Sequence, residues 1–148
     1  MRNEGTYWLT AAALLSAAAA LLHLAVIVGG PDWYRFFGAG EAMARMAERG
    51  SPRPALITLG IAAVLATWSA YALAGAGRIR RLPLMRTALL AITAIYLLRG
   101  LVLVPALAIN GFRVDAFILW SSLIVLVYGI TYAVGTFRAW PALARPER

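Results

Sequence analysis

The chain has 148 residues, 62% of them hydrophobic and 14% charged, with a mean hydropathy of +0.77 and a formal net charge of +8. That is too little polar surface for a soluble domain of this size. With no cysteine, disulfides and cysteine-held metals are excluded, and a single histidine excludes a bis-histidine haem or multi-histidine metal site within one chain, so no cofactor and no metal are expected.

The apolar residues form four long runs, 7–29, 55–77, 87–109 and 116–137. Each is about 22 or 23 residues, roughly 33–35 Å of helix against a hydrocarbon core of about 30 Å. Lipid cannot solvate backbone groups, so such runs must be helical. They neither shorten nor alternate in polarity as barrel strands do. The predicted fold is an all-α membrane protein, a single four-helix transmembrane domain over 1–148 whose outer loop, 31–54, carries a short amphipathic helix.

The first run follows Arg2, and Ala18 and Ala20 are small enough for a signal-peptide cleavage site. The run continues to Gly29, longer than a signal core, and a retained helix is expected. Ala12, Ser16 and Ala20 make a small-residue face that admits a close neighbour. The same face leads to His23, about 7 Å from the midplane, where a lone histidine is more often a hydrogen-bonded packing residue than a proton carrier.

Gly29-Gly30-Pro31 ends the first helix. In the loop that follows, the stretch from Phe36 to Arg49 reads as one amphipathic helix. Phe36, Met43 and Met46 fall on one side; Glu41, Arg45 and Glu48 fall on the other. Glu41 and Arg45 are spaced for an i,i+4 ion pair. The helix is expected to lie in the headgroup region; a sharper alternative makes it a lid hinged at Gly38 and Gly40. As a lid it would bring Glu41 towards His23 and Arg99. The Gly-x-Gly in this loop is no dinucleotide fingerprint, because no strand precedes it and no third glycine follows at the required spacing.

Ser51 and Pro54 open the second helix as cap and early proline, and Gly75 and Gly77 close it. Asn110-Gly111 marks a turn after the third, and Pro141 follows the fourth. Trp8, Trp33, Tyr34, Trp120 and Trp140 lie near the expected interfaces, as aromatic-belt residues do. All fourteen basic residues are arginine, which fits a GC-rich bacterial source. They lie mainly between the runs rather than on one basic face, which argues against nucleic acid. One side collects Arg2, the cluster Arg78, Arg80, Arg81 and Arg86, and Arg138, Arg145 and Arg148. The other has Arg35, Arg45, Arg49, Arg53 and Arg113. The denser side is expected to be cytoplasmic, which places both termini in the cytoplasm of a cell whose inner membrane the chain crosses four times.

Arg99 is the exception, within the third run about one residue from its centre. An arginine at that depth costs about 2.5–3.5 kcal/mol to insert and should be held by something inside the bundle. No acid occurs between Glu48 and Asp115. Depth matching nominates Trp68 and Tyr128 through cation–π contact, and Tyr96 three residues earlier on the same face. Pro105 frees the carbonyl of Leu101 as a further acceptor. A break of the helix at Arg99 is not expected, since neither half would cross alone. Tyr128, Tyr132 and Ser121 form a polar stripe on the fourth helix, with Tyr71 on the second; such a stripe is usually packing glue, and otherwise lines a narrow path.

The candidate ligand-binding residues are therefore Arg99, His23, Glu41, Trp68, Tyr96 and Tyr128. Three sources of a counter-charge compete for Arg99: an anion from outside the chain (a lipid phosphate, a carboxylate or a transported ion), internal carbonyls, tyrosine and water, or an acid on a partner subunit. The expected function is a non-catalytic binding or accessory protein in the lipid bilayer, bound to an anionic lipid, a small anion or a larger membrane partner. An oligomeric transporter or channel for an anionic solute is the alternative. An intramembrane enzyme comes third, since only His23 with Glu41 or a tyrosine could supply acid–base chemistry and no catalytic residue is nominated.

Overall fold

The computed structural model describes residues 2–109 and 115–144. Among these, helices are the only regular elements: α1 (Arg2–Gly29), α2 (Pro31–Phe36), α3 (Glu41–Glu48), α4 (Arg53–Gly75), α5 (Met85–Leu101), α6 (Leu103–Ile109) and α7 (Ala116–Leu143). Four stretches are long and apolar enough to cross a membrane, Glu4–Gly29, Arg53–Gly75, Met85–Ile109 and Ala116–Leu143. The turn expected at Asn110-Gly111, with Arg113, Arg145 and Arg148 of the charge count, lies outside the described residues.

The helix ends follow local backbone chemistry. Gly30, at φ 72°, ends α1, and Pro31 opens α2 where its missing N–H costs nothing. Gly38, Gly50 and Gly77 have φ between 71° and 73° and each closes a helix with the paired backbone bonds of a Schellman motif. At Gly77 these run from Arg78 N–H to Leu73 C=O (2.9 Å) and from Gly77 N–H to Ala74 C=O (3.0 Å). Ser51 accepts from Arg53 N–H at 3.4 Å before α4, and Asp115 caps α7 by accepting from Phe117 N–H at 3.3 Å.

Two expectations need correction. The stretch from Phe36 to Arg49 is not one helix. Gly38 and Gly40, both at positive φ, separate α2 from α3, and Phe36 is 77% exposed while Met43 packs inward. Pro141 does not follow the fourth helix; it lies inside the last turns of α7. Arginines from the 78–86 connection satisfy carbonyls there, Arg81 bonding Ala142 C=O and Arg86 bonding Trp140 C=O at 3.0 Å. The third apolar run continues through Arg99 without a break, as expected, and Met85–Ile109 is one long apolar stretch in which the single residue Val102 separates α5 from α6. Pro105 cannot donate to Leu101 C=O, which loosens the ladder there. Val102 keeps right-handed dihedrals (φ −54°, ψ −25°), so the path runs on into α6.

Packing divides the chain into two compact units: the described residues of 1–15 with 68–148, and 16–67. In the first, glycines set the spacing. Gly100 of α5 meets the backbone of Leu126, and Gly129 of α7 meets the side chain and backbone nitrogen of Leu97, so α5 and α7 approach each other closely. Leu9, fully buried, fits against Gly75 and Gly135, and Gly5 abuts Ala139. Ser69 donates to Ala13 C=O at 2.8 Å, and Arg138 pairs with Glu4. In the second unit, Val26, Tyr34 and Ala44 form a small core with Phe37, Met43 and Ala47 against it.

Candidate anion site

Arg99 sits one residue before Gly100. Because Gly100 faces α7 at contact distance, its neighbour emerges at the edge of the α5–α7 seam. The residue is exposed, not enclosed. Its guanidinium reaches across the seam, where Nη1 donates to Ser122 Oγ at 3.1 Å and Nη2 to Ser121 Oγ at 3.4 Å. Ser122 is fully buried, and the Ser121 hydroxyl also reaches Ile118 C=O at 3.4 Å. Among the described residues no carboxylate pairs with Arg99. A guanidinium has five N–H donors, so two hydroxyls leave most of its capacity for an acceptor from outside.

The aromatic residues expected around Arg99 gather on one another. Trp68 meets Tyr96 edge-on at 4.9 Å, Tyr96 meets Tyr128 at 5.5 Å and Tyr132 at 5.3 Å, and the Tyr132 hydroxyl donates to Trp68 C=O at 3.1 Å. Tyr96 is buried at the centre of this cluster and Tyr128 is half-buried at its side. The Trp68–Tyr96 and Tyr96–Tyr128 pairs are edge-to-face, an arrangement that contributes about 0.5–1.5 kcal/mol per pair, while Tyr132 is tilted against Tyr96. A cation–π contact is present elsewhere, with the Arg86 guanidinium carbon 4.4 Å from the Trp140 ring centroid. It compensates Arg86 Nε, which is buried and meets no acceptor among the described residues.

His23 and Glu41 have local partners. His23 Nδ1 lies 2.7 Å from Ala19 C=O, and since a carbonyl only accepts, Nδ1 carries the proton. Glu41 is bound by Arg35 (2.8 and 3.1 Å) and by Arg45 at 3.0 Å, the expected i,i+4 pair. Arg35 also reaches Asp32 at 3.2 Å and Glu48 at 2.7 Å, so one guanidinium ties α2 to both ends of α3. Hydrogen bonds from Arg35 and then Arg45 hold the Glu41 carboxyl down at about 2, and Glu41 and Glu48 in turn push Arg35 upward.

Two structural features are not anticipated by the sequence reading. Ser122 was missed, and Ser121 was placed only in a polar stripe, because partners were sought at equal depth and the reach of an arginine stem was ignored. The adjacent Ser121-Ser122 pair in an otherwise apolar run was the available signal. The Arg35 hub was missed because its partners lie 3, 6 and 13 residues away. Three acids and four arginines in one loop are the available signal. Compared with family models, curated proteins and solved structures, the chain matches none.

Proposed function

We propose that the chain is a multi-pass helical protein of a bacterial inner membrane, both termini cytoplasmic, that binds an anionic group at Arg99, Ser121 and Ser122 as a non-catalytic binding or accessory protein. The observation that carries the reading is an exposed guanidinium on an apolar helix surface, with two neutral hydroxyls as its hydrogen-bond partners. Apolar side chains such as Leu14, Val28, Ile57, Val127 and Phe137 are more than half exposed, as lipid contact requires. In a bilayer an arginine on that surface is costly unless an anion or water meets it.

Depth favours a lipid phosphate. Ser121 and Ser122 stand five and six residues after Ala116, roughly 8–9 Å of helix from the start of α7. The stem therefore carries the charge from mid-span towards one interface, as snorkelling side chains do. The α2–α3 segment, with Phe36 exposed beside an ion-paired polar side, suits the headgroup layer of the outer leaflet. A second reading, an oligomeric path for a small anion, draws support from the carbonyl of Leu101, two residues from Arg99, which Pro105 leaves without its helical N–H donor.

Native mass spectrometry from native lipid, wild type beside Arg99→Gln, tests the site. The reading expects an anionic lipid or small anion retained by wild type and lost from the variant, and the retained mass separates the two sources. Equal occupancy in two equally folded proteins would sink it.

A further inference from the structure

The arginine-rich connection between α4 and α5 is a second charged surface, far along α5 from Arg99. Residues 78–86 carry Arg78, Arg80, Arg81 and Arg86 and no acid. The nearby carboxylate of Glu4 is taken by Arg138. Such a run of like charges is often a solvated, irregular loop. Here it is fixed to the end of α7. Arg81 bonds Ala142 C=O, Arg86 bonds Trp140 C=O at 3.0 Å and lies over the Trp140 ring, and Met85 and Leu143 are both buried. Two of the four arginines therefore serve as clasps on the carbonyls of a helix C-terminus, where cations are favoured.

The other two differ. Arg78 and Arg80 are exposed, and their side chains have no hydrogen-bond or ion-pair partner among the described residues. Between the two clasps the chain turns through Leu84, whose φ of 54° is a left-handed conformation that a leucine adopts at a cost, and whose side chain is 76% exposed. The result is a ledge clasped to the end of α7, with two guanidinia unpaired among the described residues, a projecting leucine and an indole.

We propose that this ledge, Arg78 and Arg80 with Leu84 and Trp140, docks the headgroup of an anionic phospholipid, the two free guanidinia taking the phosphate and Leu84 lying among the acyl chains. The occupant follows from the chemistry. A connection with four arginines and no acid attracts an anion, and the charge of two exposed guanidinia suits a phosphate. Leu84 and Trp140 add the apolar and amphipathic contacts that a soluble anion would not use. The proposal rests on the membrane reading of the four helices and not on the role of Arg99.

The test uses the full chain in nanodiscs of phosphatidylcholine with a minor fraction of phosphatidylglycerol, with retained lipid counted by native mass spectrometry at rising salt. Wild type should retain phosphatidylglycerol in preference to phosphatidylcholine, less so as salt screens the charges. Each surface arginine contributes about fivefold to such binding, so Arg78→Gln with Arg80→Gln should weaken it by about thirtyfold. The Arg78→Lys, Arg80→Lys pair should keep most of it, which separates charge from folding. Repeating the glutamine pair in the Arg99→Gln background removes any contribution of the other site. No preference in wild type overturns the proposal, as does unchanged retention in the glutamine pair, or a lysine pair as weak as the glutamine pair.

Discussion

Replacing Gly100 by alanine puts a methyl group 2.8 Å from Leu126 Cα and 2.9 Å from Leu126 N, where ordinary contact begins near 3.4 Å. The obstacle is backbone, so no side chain can swing aside, and α5 and α7 must separate. Overpacking of this kind costs about 1–3 kcal/mol. The better helix propensity of alanine returns about 1 kcal/mol, leaving a net loss of up to about 2 kcal/mol. The separation also strikes the site, because the Arg99 to Ser121 bond is already 3.4 Å long. Gly60→Ala is the matched control: nothing lies within 4 Å of its added methyl, so it should be neutral or stabilising by up to about 1 kcal/mol. Reversible unfolding in mixed detergent micelles, followed by circular dichroism, reads both. If Gly100→Ala is as stable as Gly60→Ala, the close α5–α7 seam is wrong, and with it the geometry that brings Arg99 to the serines.

Three further outcomes are expected. Glu41 is held at about 2 by Arg35 and Arg45. A carboxyl with a depressed value stabilises the fold above its ordinary 4.5 and loses that contribution as pH falls towards 2. Protection from hydrogen exchange in 31–50, taken relative to the intrinsic rate at each pH, should therefore be steady from neutral pH to about 4.5 and fall below it; Glu41→Gln should be poorly protected already at neutral pH, and an unaltered pH profile of protection in that variant would refute the account. Gly77→Ala, at φ 71° with open space around it, should cost about 1–2 kcal/mol from backbone strain alone, measured by the same unfolding titration. Arg99→Leu should melt within about 1 kcal/mol of wild type while losing any bound anion, whereas a collapse of the fold would assign Arg99 to packing.

The four long helices were legible because lipid-length apolar runs allow little else, and the observed ends at Gly29 and Ile109 coincide with the expected ones. The fourth ran past its expected end at Phe137 because the carbonyls around Pro141 found arginine donors from a distant connection, and run length alone does not reveal such donors. Phe36 to Arg49 had helical periodicity throughout, yet the positive φ of Gly38 and Gly40 divided it. Those glycines were visible in the sequence as hinges, and their steric freedom should have outweighed the apolar pattern. Arg99 stood out through its cost in lipid, while its serine partners did not, since depth matching treats a long flexible stem as a point.

The position of Arg99 changes the balance among the three sources of its counter-charge. An internal role would place the guanidinium among carbonyls and tyrosines, enclosed so that each hydrogen bond gained strength from the low dielectric. Instead the rings of Trp68, Tyr96, Tyr128 and Tyr132 satisfy one another, and the guanidinium stands at the seam edge with one good bond, to Ser122, and one at the limit of length. Removing it would leave the Gly100–Leu126 and Gly129–Leu97 contacts intact, so the helix pairing does not depend on it. A side chain that costs energy to insert and adds little to the packing around it is better explained by what approaches from outside. A lipid phosphate and an acid on a neighbouring subunit both meet that description. The displacement of the charge towards the start of α7, where phosphates are within reach and a mid-span acid is not, favours the lipid.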